Sequence, residues 1–167
     1  SEDFINTGEE LILDIQNPNI TANTILNFAH EWKYQLLGSE PKSQAIQPFK
    51  GNVFQLVSFN FVETILDPTK AVFVEFYSPE CKHCKQFEPT YEELGRVLKQ
   101  NSDLIIAKLD VTTNIVPVPV QKIPTLVLFT AGKKKSFTFD WDRNLEDMII
   151  FLRAYSGLKI TALEEDL

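Results

Sequence analysis

The stretch that most restricts how this chain folds is Ala71–Tyr77, which is apolar or aromatic at every position except Glu75. The turn-forming Ser78-Pro79-Glu80 follows it directly. A nearly continuous run of this kind is typical of a central strand buried on both faces, whereas a half-exposed strand alternates. Because both faces must be covered, the sequence predicts a sheet that carries helices on its two sides.

Around this run, the apolar pattern predicts further strands and helices. The predicted elements are strand Val53–Val57, a short helix over 61–66 started by Asn60 and Glu63, a helix over 81–99, strand Leu104–Val111, and a hairpin of Thr125–Phe129 with Ser136–Phe139. A last helix carries Leu145, Met148, Ile149 and Leu152 and has Asp142 or Asn144 as its cap. The order predicts an α/β fold with a central mixed sheet flanked by helices, because strands joined by helices pair in parallel and a hairpin adds an antiparallel edge.

The first 45 residues have their own pattern. Leu11–Ile15 predicts a short strand, and apolar residues at helical spacing predict a helix over 21–37 whose polar side carries His30 as a structural or solvated residue. One strand and one helix cannot enclose a core. Since turn-rich residues follow from Gly38, we expect residues 1–45 to be the tail of another domain or an extension docked on the next.

Composition argues against several classes of partner. The formal charge of −7 disfavours nucleic acid, which needs clustered Lys and Arg. No apolar run approaches the roughly 20 residues of a membrane-spanning helix.

The basic run Lys133-Lys134-Lys135 lies in a predicted turn, and we interpret it as a solvated hairpin tip.

The chain has two cysteines, Cys81 and Cys84, at the spacing Cys-x-x-Cys. A disulfide ring this small adds little stability, so the pair serves chemistry or a metal. A tetrahedral zinc site needs four ligands, and the only histidines are His83 and His30. Two inert buried cysteines are the other alternative, which the polar Lys82 and His83 between them disfavour. We therefore favour a redox pair without a metal or cofactor.

The position of the pair sharpens this prediction. It follows the buried strand and opens a predicted helix, whose N-terminus favours a thiolate. We expect Cys81 to be the exposed nucleophile and Cys84 the buried resolving thiol. Lys82 and His83 add positive charge that stabilises the thiolate, and Glu80 opposes it. The balance between these charges stays open.

The active-site stretch resembles that of the protein disulfide isomerases of the endoplasmic reticulum, whose usual form is Val-Glu-Phe-Tyr-Ala-Pro-Trp-Cys-Gly-His-Cys-Lys. The matching segments are Phe73–Pro79, Cys81–Lys85, Phe87–Pro89, Ile106–Asp110 and Ile123–Thr125, and the resemblance covers about 50–157. It implies a thioredoxin-like fold for residues 46–160. Residues 1–45 would then be a linker and the strand-helix remnant of a preceding, redox-inactive thioredoxin-like domain, and residues 161–167 an acidic tail.

The resemblance also implies roles for further residues. Glu75 resembles the buried glutamate that takes a proton from the second thiol, and Lys108 resembles its lysine partner, although an edge-of-sheet lysine is the alternative. Arg143 resembles an arginine that lowers the pKa of the second cysteine, the alternative being a solvated residue. Pro124 is expected to follow a cis peptide bond and, with Ile123, to bring backbone against Cys81 for substrate pairing.

Two positions depart from the family form, since Glu80 replaces its tryptophan and Lys82 its glycine. The ending Glu164–Leu167 does not match Lys-Asp-Glu-Leu, whereas Asn19-Ile20-Thr21 is a glycosylation pattern that fits a secretory compartment. The resemblance implies a thiol-disulfide oxidoreductase or isomerase of the endoplasmic reticulum lumen. Its partners are unfolded or misfolded secretory proteins, with an oxidase or glutathione to set the redox state. The alternatives are a client-binding, chaperone-like module and a reductase in a reducing compartment.

Overall fold

A computed structural model of the protein describes residues 43–46, 48–115 and 118–163 in full and the backbone of two short strands near the start. Those strands, β1 (Phe4–Asn6) and β2 (Leu11–Leu13), pair antiparallel. The strand predicted at Leu11 is therefore present, and β1 was not predicted. The predicted helix over 21–37 with His30, the glycosylation pattern at Asn19 and the ending from Glu164 lie outside the described residues.

The main sheet has five strands in the described part of the chain. Its strands are β3 (Phe54–Leu56), β4 (Ala71–Tyr77), β5 (Leu104–Asp110), β6 (Thr125–Phe129) and β7 (Ser136–Phe139). They lie in the order β3-β5-β4-β6-β7, so that β4 is central. The helices are α1 (Ser58–Leu66), α2 (Lys82–Leu98) and α3 (Leu145–Tyr155). This is the predicted thioredoxin-like arrangement of a mixed sheet flanked by helices.

Strand β4 is buried on both faces, as its sequence predicts. It pairs in parallel with β5 and antiparallel with β6. Because successive side chains of a strand point to opposite faces, Phe73 packs in the core that includes α2 and α3, and Val74 packs in the core that includes α1. The same alternation directs Glu75 toward the face that α2 and α3 cover.

Helix α1 begins earlier than predicted. It starts at Ser58 rather than at residue 61, and Asn60 lies inside its first turn. The Asn60 side chain accepts a hydrogen bond from the Val57 N–H at 2.8 Å, and the Asn114 side-chain oxygen accepts one from the Ser58 N–H at 3.0 Å. The start is displaced because a residue 56 positions away supplies a hydrogen-bond acceptor that local sequence does not reveal.

The basic hairpin tip is only partly solvated, which corrects the prediction. Lys133 and Lys135 are exposed, but Lys134 is buried and its ammonium donates to the Lys70 carbonyl at 2.6 Å. Burial lowers the pKa of Lys134 to about 8. The hairpin therefore packs against the turn that precedes β4, and a backbone bond from Gly132 N–H to the Pro68 carbonyl at 2.8 Å supports the same contact.

Both ends of the sheet domain are tied to it by hydrogen bonds. Gln44 donates its backbone N–H to the Asn114 side chain at 3.2 Å. Thr161 donates its backbone N–H to the Asn101 side chain at 2.9 Å, and the Leu163 N–H donates to a carbonyl of α2. The first residues of the predicted acidic tail are thus docked. No helix among the described residues is long and apolar enough to cross a membrane.

We predict that Gly95→Ala destabilises the protein although alanine favours helices. A Cβ at Gly95 would lie 2.6 Å from the Asn52 carbonyl oxygen, so α2 or the segment before β3 must move. Overpacking costs about 1–3 kcal/mol, which outweighs a helix-propensity gain of up to about 1 kcal/mol. Urea unfolding should show a lower free energy of unfolding. The exposed Gln86→Ala on the same helix is the control, and stability equal to or above wild type in Gly95→Ala would contradict the packing argument.

Candidate active site

The two cysteines lie where β4 passes into α2. Cys81 is the N-cap of α2, and its sulfur accepts a hydrogen bond from the Cys84 backbone N–H at 3.2 Å. The turn between strand and helix is held by Ser78, whose carbonyl accepts from the Cys81 N–H at 3.1 Å. Cys81 is partly exposed and Cys84 is buried, and both are free thiols. The arrangement presents one sulfur to solvent and keeps the other behind it.

The environment drives the two thiol pKa values apart. The pKa of Cys81 is lowered, first by the hydrogen bond from the Cys84 thiol and then by the backbone N–H groups of Cys84 and His83. Burial raises the pKa of Cys84 to about 11, and the hydrogen bond to Cys81 adds to this rise. Cys81 is therefore the thiol that ionises first, which suits it to attack a disulfide.

The cis-proline loop lies beside Cys81. The Ile123–Pro124 peptide bond is cis, as expected from the sequence. The Ile123 carbonyl oxygen lies 3.9 Å from the Cys81 sulfur, and Pro124 is buried. Because the carbonyl is this near to the sulfur, a polypeptide bonded to Cys81 would lie next to the cis-proline loop.

Glu75 is only 3% exposed, and it lies close enough to the cysteines for its charge to raise the pKa of both thiols. Its carboxylate forms no hydrogen bond or ion pair with another described residue, and burial raises its pKa to about 7. The charges of Lys108 and Arg143 act in the opposite direction and reduce this rise. A carboxyl group with a pKa near neutrality can take up or release a proton under physiological conditions.

Lys108 has partners other than the expected one. The register of β4 and β5 places it opposite Glu75, but its ammonium bonds Glu88 at 3.2 Å and Glu92 at 3.1 Å, both on α2. Burial lowers the pKa of Lys108, and the hydrogen bonds to these two carboxylates outweigh that effect and raise it. The ion pairs of Lys108 among the described residues are therefore with α2, and its role as the partner of Glu75 stays a prediction. Sequence reasoning missed Glu88 and Glu92, whose four-residue spacing on one helix face was the available signal.

The remaining predicted residues are exposed, either next to Cys81 in the chain or at the cis-proline loop. Arg143 donates a hydrogen bond to the Pro124 carbonyl at 2.9 Å, so its guanidinium lies at the cis-proline loop. Glu80, Lys82 and His83 are exposed. A cavity of about 370 Å³ adjoins the loop and is lined in part by Pro124 and Arg143. Within the described ranges, no group of three or more His, Cys, Asp or Glu side chains is arranged to hold a metal ion.

Comparison with known proteins identifies relatives of this chain. Residues 52–154 match the family model described as Thioredoxin. Protein disulfide-isomerase 1 of Caenorhabditis elegans is 47% identical over 103 residues, which cover 61% of this chain and 21% of the relative. Protein disulfide-isomerase of Humicola insolens is 37% identical over 156 residues, covering 90% of this chain and 31% of the relative. The chain thus spans between about a fifth and a third of the length of these relatives.

The fold is also found in solved structures. The first thioredoxin domain of mouse Protein disulfide-isomerase A4 matches with a TM-score of 0.59 and 29% identity, covering 74% of this chain and 90% of that domain. The J-Trx1 fragment of ERdj5 matches with a TM-score of 0.56 at 23% identity, over 64% of this chain and 53% of the fragment, which shows the fold alone.

We predict that Cys84→Ala raises the pKa of Cys81, because it removes the thiol whose hydrogen bond contributes most to the lowering. Cys84→Ser keeps a hydroxyl donor at the same position and should cause a smaller rise. Ultraviolet absorbance of the thiolate, followed against pH, measures the pKa. A Cys81 pKa in Cys84→Ala that equals the wild-type value would show that the Cys84 side chain has no such effect.

A second prediction concerns stability and pH. The raised pKa of Glu75 means that the folded state holds this proton more tightly than the unfolded state. Stability that is present below pH 4.5 is therefore lost as the pH rises toward 7. Glu75→Gln removes this loss, so its stability relative to wild type should increase by about 3 kcal/mol between pH 4.5 and pH 8.

Urea unfolding of the reduced proteins at several pH values measures the effect of Glu75→Gln. The exposed Glu63→Gln on α1 is the matched control, because it makes the same chemical change without altering a buried group. A stability difference between Glu75→Gln and wild type that does not change with pH would contradict the assignment of a raised pKa to Glu75.

Proposed function

Since the chain belongs to the thioredoxin family, we propose that it is the catalytic module of a protein disulfide-isomerase, which forms and rearranges disulfide bonds in secretory proteins. The observation that carries this proposal is the asymmetry of the two thiols. Cys81 is a partly exposed helix cap with a lowered pKa, and Cys84 is buried with a pKa raised to about 11. This division of roles is what thiol–disulfide exchange requires.

Rearrangement of a client begins at Cys81. Its thiolate attacks one sulfur of a client disulfide, the sulfur–sulfur bond of the client breaks, and the released client sulfur leaves as a thiolate. That thiolate can attack another disulfide of the client, and a further exchange returns Cys81 to its free form. In this isomerisation the numbers of disulfides and thiols stay constant, so no external oxidant or reductant is needed.

Cys84 ends a mixed disulfide that does not rearrange. Its thiolate attacks the Cys81 sulfur and the Cys81–Cys84 bond forms. The bond between Cys81 and the client breaks, and the client sulfur leaves as a thiolate with both electrons of that bond. The pKa of about 11 makes Cys84 a poor nucleophile until its proton is removed. Glu75, with a pKa near 7 in the buried space behind the cysteines, is the group that we propose accepts this proton.

The same steps in reverse donate a disulfide. A client thiolate attacks Cys81 of the oxidised pair and releases Cys84, and a second client thiolate then attacks the mixed disulfide and releases Cys81. The client gains one disulfide and both cysteines become thiols. A sulfhydryl oxidase or glutathione disulfide then has to reoxidise the pair. In this proposal the client backbone lies against Ile123 and Pro124. Arg143 fixes the position of this loop by its hydrogen bond to the Pro124 carbonyl. Lys82 and His83 are exposed beside Cys81, and the backbone N–H of His83 is one of the groups that lower the pKa of Cys81.

We propose the endoplasmic reticulum lumen as the compartment and unfolded or misfolded secretory proteins as the clients. The domain division of the sequence analysis stays part of the proposal, with residues 46–160 as the catalytic module and 1–45 as the tail of a preceding thioredoxin-like domain with its linker. The hydrogen bond between Gln44 and Asn114 supports a linker that lies against the catalytic module.

The alternative function is a client-binding module with weak redox activity, which the exposed carboxylate of Glu80 beside Cys81 favours.

One set of variants tests the proposed function. Cys84→Ala should form mixed disulfides with a scrambled client and fail to release them, because the attacking sulfur remains and the resolving sulfur is gone. Cys81→Ala should form none, and its isomerisation rate should fall to the uncatalysed background. Non-reducing gels and recovery of client activity measure both effects. Suppression of client aggregation by Cys81→Ala is expected to be unchanged.

The outcomes separate the two candidate functions. Exchange activity that survives Cys81→Ala would overturn the assignment of Cys81 as the nucleophile. A wild-type protein that suppresses aggregation without forming mixed disulfides would instead support the client-binding alternative. Lys133→Ala, an exposed change in the hairpin away from the cysteines, is the control for handling and folding.

A further inference from the structure

Glu75 and Lys108 are close on the sheet but do not pair. They occupy opposed positions of β4 and β5, and strands in a sheet lie about 5 Å apart. Neighbouring residues of parallel strands point to the same face, so both side chains are directed toward α2. A buried carboxylate and a nearby ammonium would ordinarily form an ion pair, because each charge lowers the cost of burying the other. Here the Glu75 carboxylate has no ion-pair partner among the described residues.

The ammonium of Lys108 is held elsewhere by three groups. Glu88 and Glu92 lie one turn apart on α2 and accept its hydrogen bonds at 3.2 and 3.1 Å. The same ammonium lies 5.8 Å from the centre of the Tyr77 ring, within the range of a cation–π contact. The Lys108 side chain is 18% exposed, whereas Glu88 and Glu92 are 57% and 40% exposed. The two glutamates therefore hold the lysine near the solvent boundary.

We propose that Glu88 and Glu92 are positioning residues that hold the Lys108 ammonium on α2 and so leave the Glu75 carboxylate unpaired. This inference rests on the proposed function, in which Glu75 accepts the proton of Cys84. An ion pair with Lys108 would favour the charged form of Glu75 and make it a weaker base. The glutamates thus act on the resolving step through Lys108 and not by contact with the sulfurs.

The charged and titratable groups around Glu75 come from every element packed against it. They are Lys108 from β5, Tyr77 from β4 itself, Arg143 from the loop before α3, Cys81 at the N-cap of α2, and Cys84, Glu88, Tyr91 and Glu92 within α2. The pKa of Glu75 near 7 results first from burial, and Lys108 offsets this effect more than any other charge. A change in the position of the Lys108 ammonium would therefore change the pKa of Glu75 more than a change in any other neighbouring charge.

The experiment follows the titration of the Glu75 carboxyl group itself. Carbon NMR of the reduced full chain with isotope-labelled glutamate gives a pH titration for each carboxyl group, and the signal lost in Glu75→Gln assigns Glu75. The double variant Glu88→Gln/Glu92→Gln should shift the Glu75 titration to lower pH by more than about half a unit, because Lys108 becomes free to pair with Glu75. Lys108→Met should shift it to higher pH.

A third variant separates positioning from direct charge effects. Removing two negative charges lowers the Glu75 pKa even without Lys108, so the two glutamine substitutions are repeated in the Lys108→Met background. The proposal expects the shift there to be less than about half of that in the wild-type background. Glu93→Gln is the matched control, because it removes the same charge from α2 at a residue that pairs with Arg96 and not with Lys108.

Equal shifts with and without Lys108 would overturn the proposal, since the glutamates would then act only through their own charge. Absence of any shift in Glu88→Gln/Glu92→Gln would overturn it as well. The pH midpoint for release of a mixed disulfide should move in parallel with the carboxyl titration. A protein that forms no mixed disulfide would sink the proposed function alone, because the carboxyl titration requires no catalysis. Amide spectra of each variant confirm that the fold is retained.

Discussion

The rest of the structure depends on the placement of β4 between β5 and β6. The strand ends at Tyr77, so the chain leaves the centre of the sheet and reaches the N-terminus of α2 within four residues, where Cys81 is the cap. Antiparallel pairing with β6 brings Thr125 opposite Phe76, which places the cis-proline loop beside the cysteines. A shift of one residue in either pairing would reverse the faces of the strand and separate these groups.

The candidate site combines burial with charge in a way that lowers stability. A titratable carboxyl group is buried at Glu75 without an ion-pair partner among the described residues, and Cys84 is kept as a thiol by burial. Stability alone would favour an apolar residue at position 75. The cost is understandable if the carboxyl group works on the proton of Cys84, because functional sites commonly retain groups that oppose stability. Burial sets the raised pKa of that carboxyl group, and the position of Lys108 adjusts it.

Several features could be predicted because they depend on residues close in sequence. The apolar run of β4, the turn at Ser78-Pro79-Glu80 and the helical stripe of α2 together placed Cys81 at a helix start and Cys84 one turn inside. The caps show where local patterns are insufficient. Asn144 caps α3 as one of the two predicted candidates, whereas α1 starts at Ser58 because Asn114 approaches from another part of the chain.

The sequence by itself determined the class of fold, the central strand and the position of the cysteine pair at the start of a helix, because hydrophobic periodicity and the Cys-x-x-Cys spacing act within one element or across one turn. Tertiary structure alone decided which partners the charged side chains take. Lys134 is buried against the Lys70 carbonyl, and Lys108 binds Glu88 and Glu92 rather than Glu75. The physical reason is that an ion pair is set by distances of a few ångströms between separate elements, which neither composition nor spacing along the chain specifies.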